Sequence, residues 1–383
     1  MMKKGTAIAL WITLFAMLLC FSCTPHERLG GAVTIILSSG GPETRANLAS
    51  PEDGMIYINN GTPDLILLLF NSQGTLVAKY PDSGHSSVMN SPAPTGNDMM
   101  IRLSQTVSGG IIPEGTYSLY GIANTAGVWA LTDGENSISA GALDASSITT
   151  KTQADALCFS PLFEANSVSK PHPELRAAPN NRLPLTAKTS VTVSANGNGS
   201  AELQMQRCVA QVIVRFVNNY GAELSLSAYD ASTPFFTLHN MNPNTGYLFQ
   251  HSPDVPAGTV YADFVNATVP SVLYDNTDND GIDPDYSSDA YIYRNSALVF
   301  PGTGTYTCDV AFKVTAVNGS ALASPAEFRF TDLPVHNYRG EDITSISRNQ
   351  RLTVTITISQ GQMLSFSFDV GDWTELTETV HFD

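Results

Sequence analysis

Positive charge is what this chain has least of. Nineteen lysines and arginines stand against 35 aspartates and glutamates, a formal net charge of −16. Nucleic acids and anionic lipid surfaces are recognised by clustered Lys and Arg that neutralise phosphates, so neither is a partner of a chain built this way. Charge of either sign is scarce, at 14% of residues, which points to a surface made of Ser, Thr and Asn. Catalytic signatures are missing too: there is no Gly-x-Ser-x-Gly elbow, no His-Glu-x-x-His helix and no Cys-x-x-Cys pair. The seven histidines run from His26 to His381 without the paired spacing of a metal centre, and each reads as a loop residue. These absences exclude a cofactor and an enzyme of the common hydrolytic or metal-dependent kinds. Beyond the first 22 residues, no stretch approaches the roughly 20 consecutive apolar residues of a membrane span.

The apolar run at the start is of another kind. Lys3 and Lys4 precede it, residues 7–21 are mostly apolar, and Phe21-Ser22-Cys23 puts a small residue before a cysteine. This is a secretory signal (residues 1–22), to be set apart from the fold. Cys23, followed by the polar Thr24-Pro25-His26-Glu27, reads as the lipid-acceptor residue of a bacterial lipoprotein, although Cys20 stands where such a site has Leu. The other reading is ordinary cleavage nearby, with Cys23 a bystander; in both the protein is exported. Three cysteines remain, Cys158, Cys208 and Cys308. Three cannot all pair within one chain, so a disulfide scaffold is not what holds the fold, despite the oxidising compartment. Cys208 is in phase with Val212, Val214 and Phe216, and Cys308 with Tyr306, Val310 and Phe312. Both are predicted to face a core, as small hydrophobes.

What the chain does have is alternation with a period of two. Leu352, Val354, Ile356 and Ile358 are separated by threonines, and Leu364, Phe366, Phe368 and Val370 by Ser365, Ser367 and Asp369, with Ser359-Gln360-Gly361-Gln362 as the turn. That is a hairpin of half-buried antiparallel strands. Further strands are predicted at 33–37, 55–58, 65–70, 116–123, 191–193, 203–205, 209–217, 306–314 and 328–330, and one short helix at 151–159. Many short strands separated by Gly, Pro, Asn and Asp clusters make an all-β protein of β-sandwiches. About 360 residues after the signal suit two domains. The boundary is placed at 205–207, with a long loop at 167–181 inside the first domain.

One segment could hold a metal. Asp275-Asn276-Thr277-Asp278-Asn279-Asp280-Gly281-Ile282-Asp283-Pro284-Asp285 resembles the start of a calcium loop, with Asp278, Asp280 and Asp283 as candidate ligands. The twelfth position counted from Asn276 is Ser287, where the bidentate Glu belongs. The segment therefore reads as a solvated acidic loop.

Five further segments point to one family. Leu65-Ile66-Leu67-Leu68-Leu69-Phe70-Asn71 leads through Ser72-Gln73 into Gly74-Thr75-Leu76-Val77, a hydrophobic strand and turn. Pro113-Glu114-Gly115-Thr116-Tyr117-Ser118-Leu119-Tyr120-Gly121-Ile122-Ala123-Asn124 is a glycine–tyrosine strand ending in an alanine–asparagine pair. Met205-Gln206-Arg207-Cys208-Val209-Ala210-Gln211-Val212 crosses the proposed boundary, with Gln211 in place of a lysine. Arg348-Asn349-Gln350-Arg351-Leu352 and Val370-Gly371-Asp372-Trp373 bracket the closing hairpin. Together these resemble the Bacteroidales fimbrillins, the subunits of type V pili.

The resemblance implies two tandem transthyretin-like β-sandwich domains (46–205 and 206–383) behind a lipidated propeptide (23–45) carrying the first strand. It implies an outer-membrane lipoprotein precursor, then a place in a cell-surface fimbrium that serves adhesion. The implied partners are other pilus subunits, the outer membrane through the lipid, an Arg-specific protease, and a host or bacterial receptor that the sequence does not name. In such subunits the protease removes the first strand, and a neighbour's strand fills the vacated groove. The residues that match are Val33, Ile35 and Leu37 on one face of the first strand, Arg45 and Ala46 as the cleavage pair, and Val380 and Phe382 in a candidate donor tail. The alternative is an outer-membrane-anchored surface lipoprotein, a pilus anchor or a glycan-binding protein, that keeps its first strand. An exported hydrolase, the third class, would need carboxylates clustered in one cleft.

Overall fold

The computed structural model describes residues 32–39, 58–59, 62–88, 99–125, 129–132, 137–140, 148–161, 183–242, 245–266, 269–274, 292–337, 339–359 and 363–372. Cys23, Arg45, Ala46, Asp278, Asp280, Asp283, Trp373, Val380 and Phe382 lie outside the described residues, as does the 167–181 segment. The chain is mostly β, in several sheets, with one short helix among the described residues.

The first half contributes β1 (Val33–Ser39), β2 (Leu65–Phe70), β3 (Leu76–Tyr80), β4 (Ser86–Val88), β5 (Met99–Leu103), β6 (Gly115–Ala123), β7 (Trp129–Thr132), β8 (Ser137–Ala140), α1 (Lys151–Asp155), β9 (Cys158–Pro161), β10 (Leu185–Val193) and β11 (Gly199–Arg207). Eight of these form one sheet in the order β3-β2-β6-β10-β11-β1-β5-β4. The sheet closes over itself, because β10 and β11 pair only at Leu185↔Arg207 and Thr186↔Gln206 and then diverge. Leu203 and Met205 of β11 therefore lie over Gly121 of β6, where an added Cβ would stand 3.2 Å and 3.1 Å from their side chains. This explains the unbroken apolar run of β2, whose six residues are all buried. Leu65, Leu67 and Leu69 face the core shared with β1; Ile66, Leu68 and Phe70 face a second core with Leu157, Phe159 and Phe249. A strand covered on both faces loses its alternation.

The helix expected over 151–159 is shorter. Thr150 and Gln153 form a reciprocal capping box that starts it, and it ends at Asp155. Cys158 and Phe159 are instead in β9, pairing with Thr132 and Leu131 on one side and Tyr247 and Gly246 on the other. Partners that distant are set by tertiary packing, which overrides the local helical pattern. Of the strand expected at 55–58, only Ile58 is among the described residues, in the short strand Ile58–Asn59.

The second half contributes β12 (Ala210–Asn219), β13 (Leu224–Ala228), β14 (Phe236–Met241), β15 (Gly246–Tyr247), β16 (Ala262–Asn266), β17 (Val272–Leu273), β18 (Ile292–Val299), β19 (Thr307–Val317), β20 (Ser320–Pro334), β21 (Gln350–Ser359) and β22 (Met363–Asp372). One sheet runs β18-β12-β21-β22, the other β16-β14-β19-β13-β17 with β20 beside β19. Between them lies a single core, in which Val212, Val214, Leu352 and Ile356 of the first sheet meet Leu238, Val310 and Phe312 of the second. The closing hairpin has the expected register, Leu352↔Val370 through Ile358↔Leu364.

All three described cysteines are free and buried. Cys308 joins the core predicted for it. Cys208 does not share a core with Val212; it sits with Val209 in the second core of the first half, beside Ile66, Tyr120 and Leu248. The reason is a crossing. The segment after Met241 leaves the second half, adds β15 to the small sheet β8-β7-β9-β15, and buries Leu248 and Phe249 in the first half. The chain around Cys208 passes beneath that insertion.

Candidate functional site

The site follows from β1. Its residues alternate Val33, Ile35, Leu37 with Thr34, Ile36 and Ser38. The first set is buried to 0%, 0% and 1% exposure, while Thr34 and Ile36 on the other face are half-buried. The strand lies inside the sheet, not at its rim. It runs parallel to β11 over seven residue pairs, from Val33↔Gly199 to Ser39↔Met205, and antiparallel to β5 over five, from Val33↔Leu103 to Leu37↔Met99. At its start the Ala32 N–H donates to Asn198 Oδ1 at 3.3 Å, and the Gly199 N–H donates to the Ala32 carbonyl at 3.2 Å. Gly199 is required there because a Cβ would stand 2.9 Å from the Thr192 carbonyl oxygen. Val33, Ile35 and Leu37 pack into one cluster with Ile101, Leu103, Val193, Leu203 and Met205.

The arrangement is a filled groove. Burying three aliphatic side chains contributes about 1.5–3 kcal/mol each. Without β1, two strand edges, β11 and β5, would face each other unpaired across an apolar trench, a template for any strand of matching pattern. Because β1 begins the described chain and its parallel partner β11 is some 166 positions away, no tight turn ties it to either neighbour. Sequence reasoning identified β1 but missed β5, half of its seat. Met99, Ile101 and Leu103 do share one face, but the apolar Met100 between the first two blurs their alternation.

A polar cleft of about 480 Å3 opens where β10 and β11 diverge, lined by Lys188, Glu202, Gln204, Gln206, Phe249 and Arg348. Both of its cations are engaged within the protein. Lys188 Nζ is 2.9 Å from Asp155 Oδ1, and the Arg348 guanidinium donates to both carboxylate oxygens of Asp254 at 2.8 and 2.7 Å. Phe249, the cleft's aromatic, is 1% exposed. Elsewhere, His239 is in a strand rather than a loop, and the Asp263 and Asp309 carboxylates hold its imidazole above the usual range against the opposing effect of burial.

No family model matches the chain, and no curated protein matches it in sequence. Solved structures do. A protein from Parabacteroides distasonis, provisionally described as a cell adhesion protein, superposes with a TM-score of 0.50 at 14% identity, over 91% of this chain and 99% of that one. The chain has the fold of that protein. The structural likeness extends to fimbrial proteins of Porphyromonas gingivalis. The fimbrilin of strain W83 gives a TM-score of 0.45 at 12% identity, over 90% of this chain and 98% of its own. The tip fimbrial protein Mfa3, with a C-terminal truncation, gives 0.43 at 12%, over 89% and 100%.

Proposed function

We propose that this chain is a structural subunit of a cell-surface filament of the type V pilus kind, and not an enzyme. In this reading it is exported and acylated at Cys23, and built as two tandem transthyretin-like β-sandwiches, 46–205 and 206–383. It is then cut between Arg45 and Ala46, which releases β1. A strand from a neighbouring subunit, with the tail around Val380 and Phe382 as the candidate donor, takes the vacated place between β11 and β5. In this reading donor and groove belong to different parts of the chain, so the contact between subunits is head-to-tail and propagates into a filament. The observation that carries this reading is the burial of Val33, Ile35 and Leu37 inside the sheet: a terminal strand that is both removable and costly to lose creates a demand for a replacement. A fold shared with a protein described in terms of cell adhesion supports display at the surface.

The test is Arg45→Ala in the native host. Expected are loss of high-mass polymer and accumulation of a precursor that keeps residues 23–45; undiminished polymer of normal subunit mass would overturn the reading. Sequencing the amino terminus of the wild-type protein from cells separates the alternatives, since Ala46 belongs to a polymerising subunit and lipidated Cys23 to an anchor or a monomeric lipoprotein. A glycan-binding lipoprotein calls for an exposed aromatic platform, and the polar cleft does not offer one, because its phenylalanine is buried.

A further inference from the structure

The outer face of the second half's larger sheet carries a cluster that filament assembly does not use. Four neighbouring strands supply it: His239 comes from β14, Asp263 from β16, Asp309 from β19 and Asp332 from β20. His239, Asp309 and Asp332 each present one ligand-type atom, and all three atoms lie within 4.8 Å of one another. The imidazole is oriented from behind, with Nδ1 3.0 Å from Asp263 Oδ1 and Nε2 3.4 Å from Asp309 Oδ1. The Asp309 carboxylate is fixed in turn by the backbone N–H of Asp332 at 2.8 Å. A ring nitrogen held by a carboxylate while the other faces further ligands is the layout of metal-bound histidine.

We propose that His239 Nε2, Asp309 and Asp332 bind one first-row divalent cation, with zinc the best match, and that Asp263 is the positioning residue for the imidazole. The donor set selects the metal class. Imidazole suits zinc and its neighbours, whereas calcium and magnesium take all-oxygen shells. Three protein ligands are the complement of an open zinc site, which leaves a position for water. Charge argues the same way: an imidazolium between Asp263 and Asp309 accounts for two contacts, yet a third carboxylate, that of Asp332, has been brought to the same point. A doubly charged cation offsets that gathering; one imidazolium does not. The backbone is shaped for it as well. Register shifts occur between Leu238 and Met241 in β14 and between Cys308 and Val310 in β19, and Asp332 has φ of 53°. Bulges of this kind re-aim side chains on a sheet face.

The experiment is calorimetric titration of the full chain, freed of metal with chelator, using zinc chloride. Expected is one tight equivalent per chain, weakened at least tenfold by His239→Gln and by Asp309→Asn, and by about 10- to 100-fold in Asp263→Asn. Cobalt titration read by visible absorption reports coordination directly, and circular dichroism in chelator establishes that each variant is folded. Should His239→Gln melt early, Asp332→Asn, on the exposed strand, carries the same test. Absence of a saturable one-equivalent site, or affinity unchanged in both His239→Gln and Asp332→Asn, would overturn the proposal.

Discussion

Adjacent residues of β1 have opposite fates. Ile35 is fully buried and Ile36 half-buried on the other face, although the two are chemically identical. In the chain that still holds its first strand, Ile35→Ala is expected to cost about 2–5 kcal/mol through lost burial and a residual cavity. Ile36→Ala is expected to cost under about 1 kcal/mol. Urea unfolding of the two variants reads the difference, and equal costs would show that β1 fills no apolar trench. The cysteines make a second residue-scale prediction. Burial pushes the thiols of Cys158 and Cys208 up to about 11 and that of Cys308 up to about 12. At pH 8 a thiol of that kind is thiolate in about one molecule in a thousand or fewer, and the thiolate is the reactive form. Iodoacetamide at pH 8 should therefore leave all three unmodified in the folded chain and alkylate all three once guanidinium unfolds it; mass spectrometry distinguishes the two.

At the scale of elements, the seat of β1 depends on one glycine. Gly199→Ala places a methyl group 2.9 Å from a backbone oxygen of Thr192, and backbone cannot step aside as a flexible side chain can. The start of β11 must shift, and with it the bond from Gly199 to Ala32. A destabilisation of about 1–3 kcal/mol is expected. It should be local: amides of β1 should exchange hydrogen faster while those of β21 keep wild-type protection, and uniform acceleration would place the strain elsewhere. How much of this was legible in sequence varies by element. The β21–β22 hairpin was readable because Leu352 to Ile358 bury one face and leave threonines on the other. β20 was seen only at 328–330, because Phe328 is the one buried residue of its fifteen, and an exposed strand writes no apolar pattern. The groove was half legible: β1 alternates, whereas the alternation of β5 is blurred by the apolar Met100 between Met99 and Ile101. The His239 cluster was invisible, since residues 239, 309 and 332 meet only through strand pairing, which sequence spacing does not encode.

For the whole molecule, the two halves are joined by an excursion of chain and by Phe300, whose ring packs on Phe159 with centroids 4.9 Å apart. The segment after β14 inserts Leu248 and Phe249 into the first half's core, and Arg348, just before β21, reaches back to hold it. Its guanidinium donates to Leu248 and Tyr247 carbonyls at 2.7 and 3.1 Å while forming the two-pronged pair with Asp254. The side chains of Arg348 and Asp254 are 6% and 15% exposed. In the proposed filament a subunit under tension would need such a joint, because a hinge between its halves would open first. Removing one partner of a buried pair strands the other charge without compensation, at about 3–5 kcal/mol. Arg348→Ala is therefore expected to lower the unfolding free energy read from guanidinium titration by that amount and to split a single unfolding transition into two, as the halves lose their coupling. Replacing both partners by apolar residues, Arg348→Met with Asp254→Leu, should recover part of the loss, since no charge is then left buried. A cost below about 1 kcal/mol for Arg348→Ala, with one transition kept, would mean that the apolar contacts of Leu248, Phe249 and Phe300 hold the halves together and that the ion pair only decorates the joint.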